Sequence, residues 1–128
     1  MMATILVIDD DRSFRRMVNL VLTRAHHAVI EAQDGVEGLQ LFTSLNPDVV
    51  ISDIIMPDKD GIQLIREIRA LNPTIHIIAM SGGGAAIGMG YLGAAGKLGA
   101  DRRLAKPFRP TELTEMVEQL LADGPKDA

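Results

Sequence analysis

The chain has 128 residues, and at roughly 150 residues per domain that is one domain with a single core. Apolar residues make up 47% and aromatics 3%, so the core is built from Ile, Leu, Val, Ala and Met. A net charge of −4, no cysteine and no long apolar run argue against general nucleic-acid binding, against disulfides and thiolate metal sites, and against a membrane span.

In chain order, short apolar runs alternate with segments of helical period. Residues 4–8 (TILVI) are almost wholly apolar and β-branched, the pattern of a strand buried on both faces. Residues 12–24 carry Phe14, Met17, Val18 and Val21 on one helical stripe. A second strand is predicted over 28–31. The helix over 35–45 has Leu39, Phe42 and Leu45 near one face, and Pro47 stops it. The third strand is 48–52 (DVVIS). The third helix, 61–71, spaces Leu64, Ile65, Ile68 and Leu71 helically before Asn72-Pro73. Residues 75–80 (IHIIAM) form the fourth strand and 102–105 the fifth. The last helix opens at Thr111 as N-cap and turns Leu113, Met116, Val117, Leu120 and Leu121 inward, without a capping-box Glu three residues after Thr111.

Residues 82–99 hold eight of the twelve glycines. Each Gly costs a helix about 1 kcal/mol relative to Ala, so a loop over 82–90 and a short helix over 91–98 are predicted. Either a frayed helix or a functional mobile element fits that composition, and 82–90 is expected to be the most mobile stretch of the chain.

Strand and helix thus alternate five times, the pattern of a doubly wound α/β fold with a parallel sheet covered on both faces. A closed eight-stranded barrel needs about 250 residues. In open sheets the working site lies beyond the carboxyl ends of the strands. Asp9, Asp10 and Asp11 follow the first strand, Asp53 the third, Ser81 the fourth and Lys106 the fifth. Carboxylates so gathered repel one another, and a set of Asp without His or Cys suits Mg²⁺ better than Zn²⁺ or Cu²⁺. Mg²⁺ commonly binds through one or two carboxylates plus a phosphate, so the edge reads as a phosphate site. Lys106 neutralises a phosphate oxygen, Ser81 donates to another, and Asp53 is the natural nucleophile, giving an acyl phosphate.

Four segments carry a family resemblance: VIDDD at 7–11, SDIIMPDKDG at 52–61, AMSGG at 79–83 and AKPF at 105–108. Each is weak alone, but all four stand in order at the ends of their strands. Over about residues 4–121 the chain resembles the receiver domain of two-component response regulators, the CheY-like family. The resemblance implies a flavodoxin-like five-stranded sheet of order 2-1-3-4-5. It makes Asp53 the phosphoacceptor, Asp9 and Asp10 the acidic pair that holds Mg²⁺, and the Ile55 backbone carbonyl a further metal ligand. Ser81 becomes the switch hydroxyl, and Lys106 the phosphate-pairing lysine before a cis bond to Pro107. The family's aromatic switch position, three residues before the lysine, is Arg103 here, so an inward-swinging ring is replaced or lost. The 82–99 stretch is a few residues longer than in the commonest members.

The implied partners are a sensor histidine kinase or histidine phosphotransfer protein and a downstream protein. The latter contacts the face of the fourth helix, fifth strand and fifth helix. Monomer or phosphorylation-dependent dimer, direct contact with neither nucleic acid nor membrane, and a cytoplasmic location complete the expectation. A receiver over residues 1–122 with a polar tail over 123–128 is expected to stand alone; the alternative is a fragment of a longer regulator. A phosphate-ester hydrolase using Asp53 is the other rival, and it lacks an acidic residue at position 55.

Plainer roles are assigned elsewhere. Asp11 caps the first helix, and Asp58 and Asp60 belong to a turn. His26, His27 and His76 are surface or strand-filling residues, and Arg12, Arg15 and Arg16 form a solvated helix face or a kinase-docking surface.

Overall fold

The computed structural model describes residues 2–54, 61–81 and 99–124. Five parallel strands, β1 (Thr4–Ile8), β2 (Ala28–Ala32), β3 (Val49–Asp53), β4 (His76–Ser81) and β5 (Arg102–Ala105), lie in the order β2-β1-β3-β4-β5. The described helices are α1 (Arg12–Arg24), α2 (Gly35–Leu45), α3 (Gly61–Leu71) and α4 (Pro110–Asp123), the last being the fifth expected from the sequence. The Ile55 carbonyl, the turn residues Asp58 and Asp60, the 82–90 loop and the 91–98 helix fall outside the described residues.

Alternation along each strand divides the core into two layers. Leu6, Ile8, Val50, Ile77 and Ala79 face Phe42 of α2 and Leu64, Ile65 and Ile68 of α3. Ile5, Val7, Val49, Ile51, Ile78 and Met80 face Val18 and Leu22 of α1 and Leu113, Val117 and Leu120 of α4. Burial on both sides is why these strands read as unbroken apolar runs. Each fully buried Ile or Leu contributes about 1.5–3 kcal/mol, which makes ring stacking dispensable.

Most elements match the reading to within a residue. Asp11 caps α1, its carboxylate accepting from the Phe14 N–H at 3.1 Å. Asp34 does the same for α2 from Glu37 N–H at 2.8 Å. The start of α4 differs: the N-cap is Arg109, not Thr111, and Pro110 takes the first helical position, where its missing N–H costs nothing. Glu112 is then the residue whose carboxylate reaches back to the Arg109 N–H, at 3.1 Å, and the helix runs on to Asp123. Leu45 and Leu71, assigned to inward stripes, are instead 50% and 58% exposed.

Arg69 of α3 ties together the segments that lead into β4 and β5. Its guanidinium donates to the carbonyls of Gly99 (2.7 Å), Pro73 (2.9 Å) and Ile75 (2.6 Å) and to Asp101 Oδ2 (3.0 Å). Arg69→Met keeps the stem but leaves these acceptors to find other partners. It is expected to cost about 2–3 kcal/mol, read from urea denaturation followed by circular dichroism.

Candidate functional site

Strand register assembles the site. Ile8 pairs with Ser52, Asp53 with Met80, and Ser81 with Ala105. Residues one step beyond the last rungs of β1 and β5, Asp9 and Lys106, therefore meet Asp53 and Ser81 on one edge. The Lys106 N–H donates to Ser81 O at 2.8 Å, and the Lys106–Pro107 bond is cis, as expected.

Asp9 is fully buried and Asp53 nearly so, while Asp10 is exposed. One carboxylate oxygen from each of the three lies within 4.8 Å of the others. Asp9 Oδ1 accepts from the Asp11 N–H at 2.9 Å. Lys106 Nζ donates to Asp9 Oδ2 at 2.7 Å and to Asp53 Oδ2 at 3.3 Å. Burial pulls the Lys106 ammonium toward its neutral form. The hydrogen bond to Asp9 and the charges of Asp53 and Asp9 outweigh that and raise it above the ordinary lysine value. Lys106 is therefore a fixed positive charge at neutral pH. Its stabilisation is present throughout the range below the unfolded lysine value and is lost only as pH rises through the raised folded one.

Ser81 Oγ is buried and has no hydrogen-bond partner among the described residues. A hydroxyl so placed carries a desolvation cost unless something accepts from it. Three converging carboxylate oxygens fit a hard, oxygen-seeking cation such as Mg²⁺, and the waiting hydroxyl fits an added anionic oxygen.

Arg103 lies exposed on β5, and Ile55 is outside the described residues. Two others enter unannounced. The Phe14 ring lies under Lys106, with Nζ 4.1 Å from its centroid, and Phe108 meets Phe14 edge-to-face at 5.5 Å. Arg15, assigned to a solvated face, is instead largely buried against Glu31 and the Asp9 carbonyl. Phe14 reads in sequence as one more apolar stripe residue and Arg15 as one more surface charge, so neither signals its place. Two histidines do as expected, His26 being exposed and His76 filling β4, but His27 is neither at the surface nor in a strand. It is buried just before β2, where its ring accepts from the Ala3 N–H and meets Glu118, so it ties the start of β1 to α4. A cavity of about 250 Å³ near Asp48, Ile75, His76 and Gly124 lies toward the strands' amino ends, away from the carboxylates. No helix among the described residues is long and apolar enough to cross a membrane.

Comparison with known proteins agrees with the geometry. Residues 5–118 match the family described as the response regulator receiver domain. Response regulator MprA of Mycobacterium sp. (strain KMS) is 36% identical over 91% of this chain. The chain spans 50% of that protein, about half the length of the first curated relatives it matches. Chemotaxis protein CheY of Thermotoga maritima is 33% identical over 91% of this chain and 95% of its own length. Among solved structures, a putative response regulator from Chloroflexus aurantiacus superposes with a TM-score of 0.87 at 35% identity, covering 95% of this chain and 99% of the other. The fold, the strand order and this match leave the hydrolase alternative without support, and the chain belongs to the receiver-domain family of two-component response regulators, a signalling switch whose members bind Mg²⁺ in an acidic pocket of this kind.

Proposed function

We propose that Asp53 is the phosphoacceptor and that the phosphoryl donor is the phosphohistidine of a sensor kinase or phosphotransfer protein in the cytoplasm. One observation carries the reading: Asp9, Asp10 and Asp53 converge while Lys106 Nζ bonds to Asp53 and Asp9. A carboxylate oxygen of Asp53 attacks phosphorus as the P–N bond to the donor imidazole breaks, and that electron pair returns to the ring nitrogen. Asp9, Asp10 and Asp53, with the Ile55 carbonyl as the resemblance implies, would hold Mg²⁺, which offsets negative charge on the transferring group. Lys106 offsets more of it, and little else is asked of the protein than position and charge. Ser81 Oγ gains an acceptor in the phosphoryl oxygen.

The acyl phosphate then biases a two-state equilibrium read by a partner protein at the face around β5 and α4. Taking the population from mostly off to mostly on requires a differential of about 5.5 kcal/mol. Attack by water on the phosphoryl group, with cleavage of the O–P bond to Asp53, resets the switch. Arg103, exposed on β5, takes the place of the aromatic switch residue at that face.

The test is acetyl phosphate with Mg²⁺ and intact-mass spectrometry. The wild-type chain gains one phosphoryl group; Asp53→Asn gains none, and EDTA prevents the gain. No adduct, together with no spectroscopic response to beryllofluoride, overturns the assignment.

A further inference from the structure

The acidic pair is strapped from outside the pocket, by the edge strand β2. The Asp9 N–H donates to the Ala32 carbonyl at 3.1 Å. The Asp9 carbonyl accepts from Arg15 Nη1 at 2.8 Å. Arg15 is gripped in turn by the neighbour of Ala32, its Nε donating to Glu31 Oε1 at 2.8 Å. Asn19 Nδ2 donates to Glu31 Oε2 at 2.6 Å, and Thr23 Oγ1 to Asn19 Oδ1 at 2.8 Å. The Arg15 and Glu31 side chains are only 13% and 18% exposed.

The ion pair is electrically settled. Burial works to raise the Glu31 carboxyl, but the Asn19 and Arg15 hydrogen bonds and the Arg15 and Arg16 charges prevail and hold it below the usual carboxylate range. Its stabilisation is therefore present above the ordinary Glu value and is lost only as pH falls through the depressed folded one.

The geometry has a consequence for the pocket. The Asp9 carbonyl belongs to the Asp9–Asp10 peptide, which is planar. Fixing that oxygen fixes the plane, and the plane limits where the Asp10 side chain points. Asp10 is exposed, so packing does little to aim it. A guanidinium is suited to the task because its planar fork serves Asp9 and Glu31 at once; an ammonium on a flexible stem is not.

We propose that Arg15, gripped by Glu31, is a positioning residue that aims the Asp9–Asp10 pair and thereby sets the affinity of the cation site. This rests on the reading of the carboxylates as a Mg²⁺ site. It gives β2, which contributes no ligand, a place in the chemistry.

The test uses the full chain with Arg15→Met, Arg15→Lys and the control Asn19→Ala, which loosens the far side of Glu31 while leaving Arg15 paired. Mg²⁺ is titrated by calorimetry at fixed pH and salt. Arg15→Met is expected to bind about tenfold more weakly, in line with the loss of an outer partner of a metal ligand. Arg15→Lys keeps the charge and most of the stem, yet is expected to lose most of that tenfold as well, and Asn19→Ala to stay near wild type. A second readout needs no metal. In EDTA the Asp11 amide, bonded to Asp9 Oδ1, exchanges faster in Arg15→Met than in wild type or Asn19→Ala, while core amides such as Ile51 do not lose protection selectively. Wild-type Mg²⁺ affinity in both Arg15 variants, or wild-type exchange at Asp11, overturns the proposal. A wild-type chain that binds no Mg²⁺ refutes the site reading instead, and Asp11 exchange still decides whether Arg15 holds the pair.

Discussion

Lys106→Met is expected to lower the unfolding free energy in EDTA by about 3–5 kcal/mol, the usual cost of removing one partner from a buried ion pair. The ammonium stands between two carboxylates, 2.7 Å from Asp9 and 3.3 Å from Asp53, and Asp9 is wholly buried. Without it, those groups keep their burial and lose their principal compensating charge. The ring of Phe14 adds to the effect, since a cation held over an aromatic face at 4.1 Å is worth about 0.5–2 kcal/mol. Mg²⁺ should restore a good part of the loss, because a divalent ion binding the folded state alone stabilises it by mass action. Urea denaturation followed by far-ultraviolet circular dichroism suits a chain without tryptophan. The diagnostic quantity is the stability gained on adding Mg²⁺, expected to be larger in Lys106→Met than in wild type. An equal gain would mean that the ammonium and the cation do not share the same carboxylates. Asp9→Asn combined with Lys106→Met should cost less than the sum of the two single changes, since each removes the reason the other is costly.

How far this site could be read from the sequence depends on the kind of signal. Asp9, Asp10, Asp53, Ser81 and Lys106 were placed by their position after strands, and parallel register does the rest: once Ile8 meets Ser52 and Ser81 meets Ala105, the ends must coincide. The central strands β1, β3 and β4 are plain because burial on both faces leaves them mostly apolar, whereas the edge strands β2 and β5 carry Glu31, Arg102 and Arg103 and are weaker signals. Helix ends were less plain. Leu45 and Leu71 each close their helix and sit on the apolar stripe, yet both are exposed; helical period identifies the face but not where its cover stops. Arg15 was hidden for another reason. Arg12, Arg15 and Arg16 are alike in sequence, and what separates Arg15 is Glu31, sixteen residues away on β2. Such pairing depends on tertiary geometry that periodicity does not carry. The Thr111 cap failed locally instead: Pro110 starts the helix before Thr111 can cap it, and Arg109 with Glu112 closes the turn.

Gly61→Ala is expected to be among the most damaging single-methyl changes in the chain, at about 3 kcal/mol or more. A Cβ there would lie 2.3 Å from Ile54 Cα and 2.4 Å from Asp53 O. Both contacts are backbone, so no rotamer relieves them. The Gly61 N–H also donates to Ile54 O at 3.2 Å, which locks the first residue of α3 onto the peptides that follow Asp53. Relief requires the Asp53–Ile54 peptide to turn, which displaces the Asp53 carboxylate from Lys106, or α3 to lift away from β3, which leaves it in place; the hydrogen bond from Gly61 to Ile54 favours the first. Gly38→Ala is the natural comparison. Its Cβ would approach Ile8 Cδ1 at 2.6 Å and Cγ1 at 2.9 Å, but a side chain can shift, and the helix gains about 1 kcal/mol of propensity from Ala. The net change at Gly38 should be about 1 kcal/mol or less by the same reckoning. Urea denaturation measures both costs, and phosphoryl uptake from acetyl phosphate measures the second consequence. Uptake should slow markedly in Gly61→Ala, under conditions where it remains folded, and stay near wild type in Gly38→Ala. If the two variants are equally mild, α3 does not bear on the Asp53–Ile54 backbone as closely as these distances require. If Gly61→Ala is destabilised but takes up phosphate at the wild-type rate, the backbone yields on the helix side and Asp53 keeps its place.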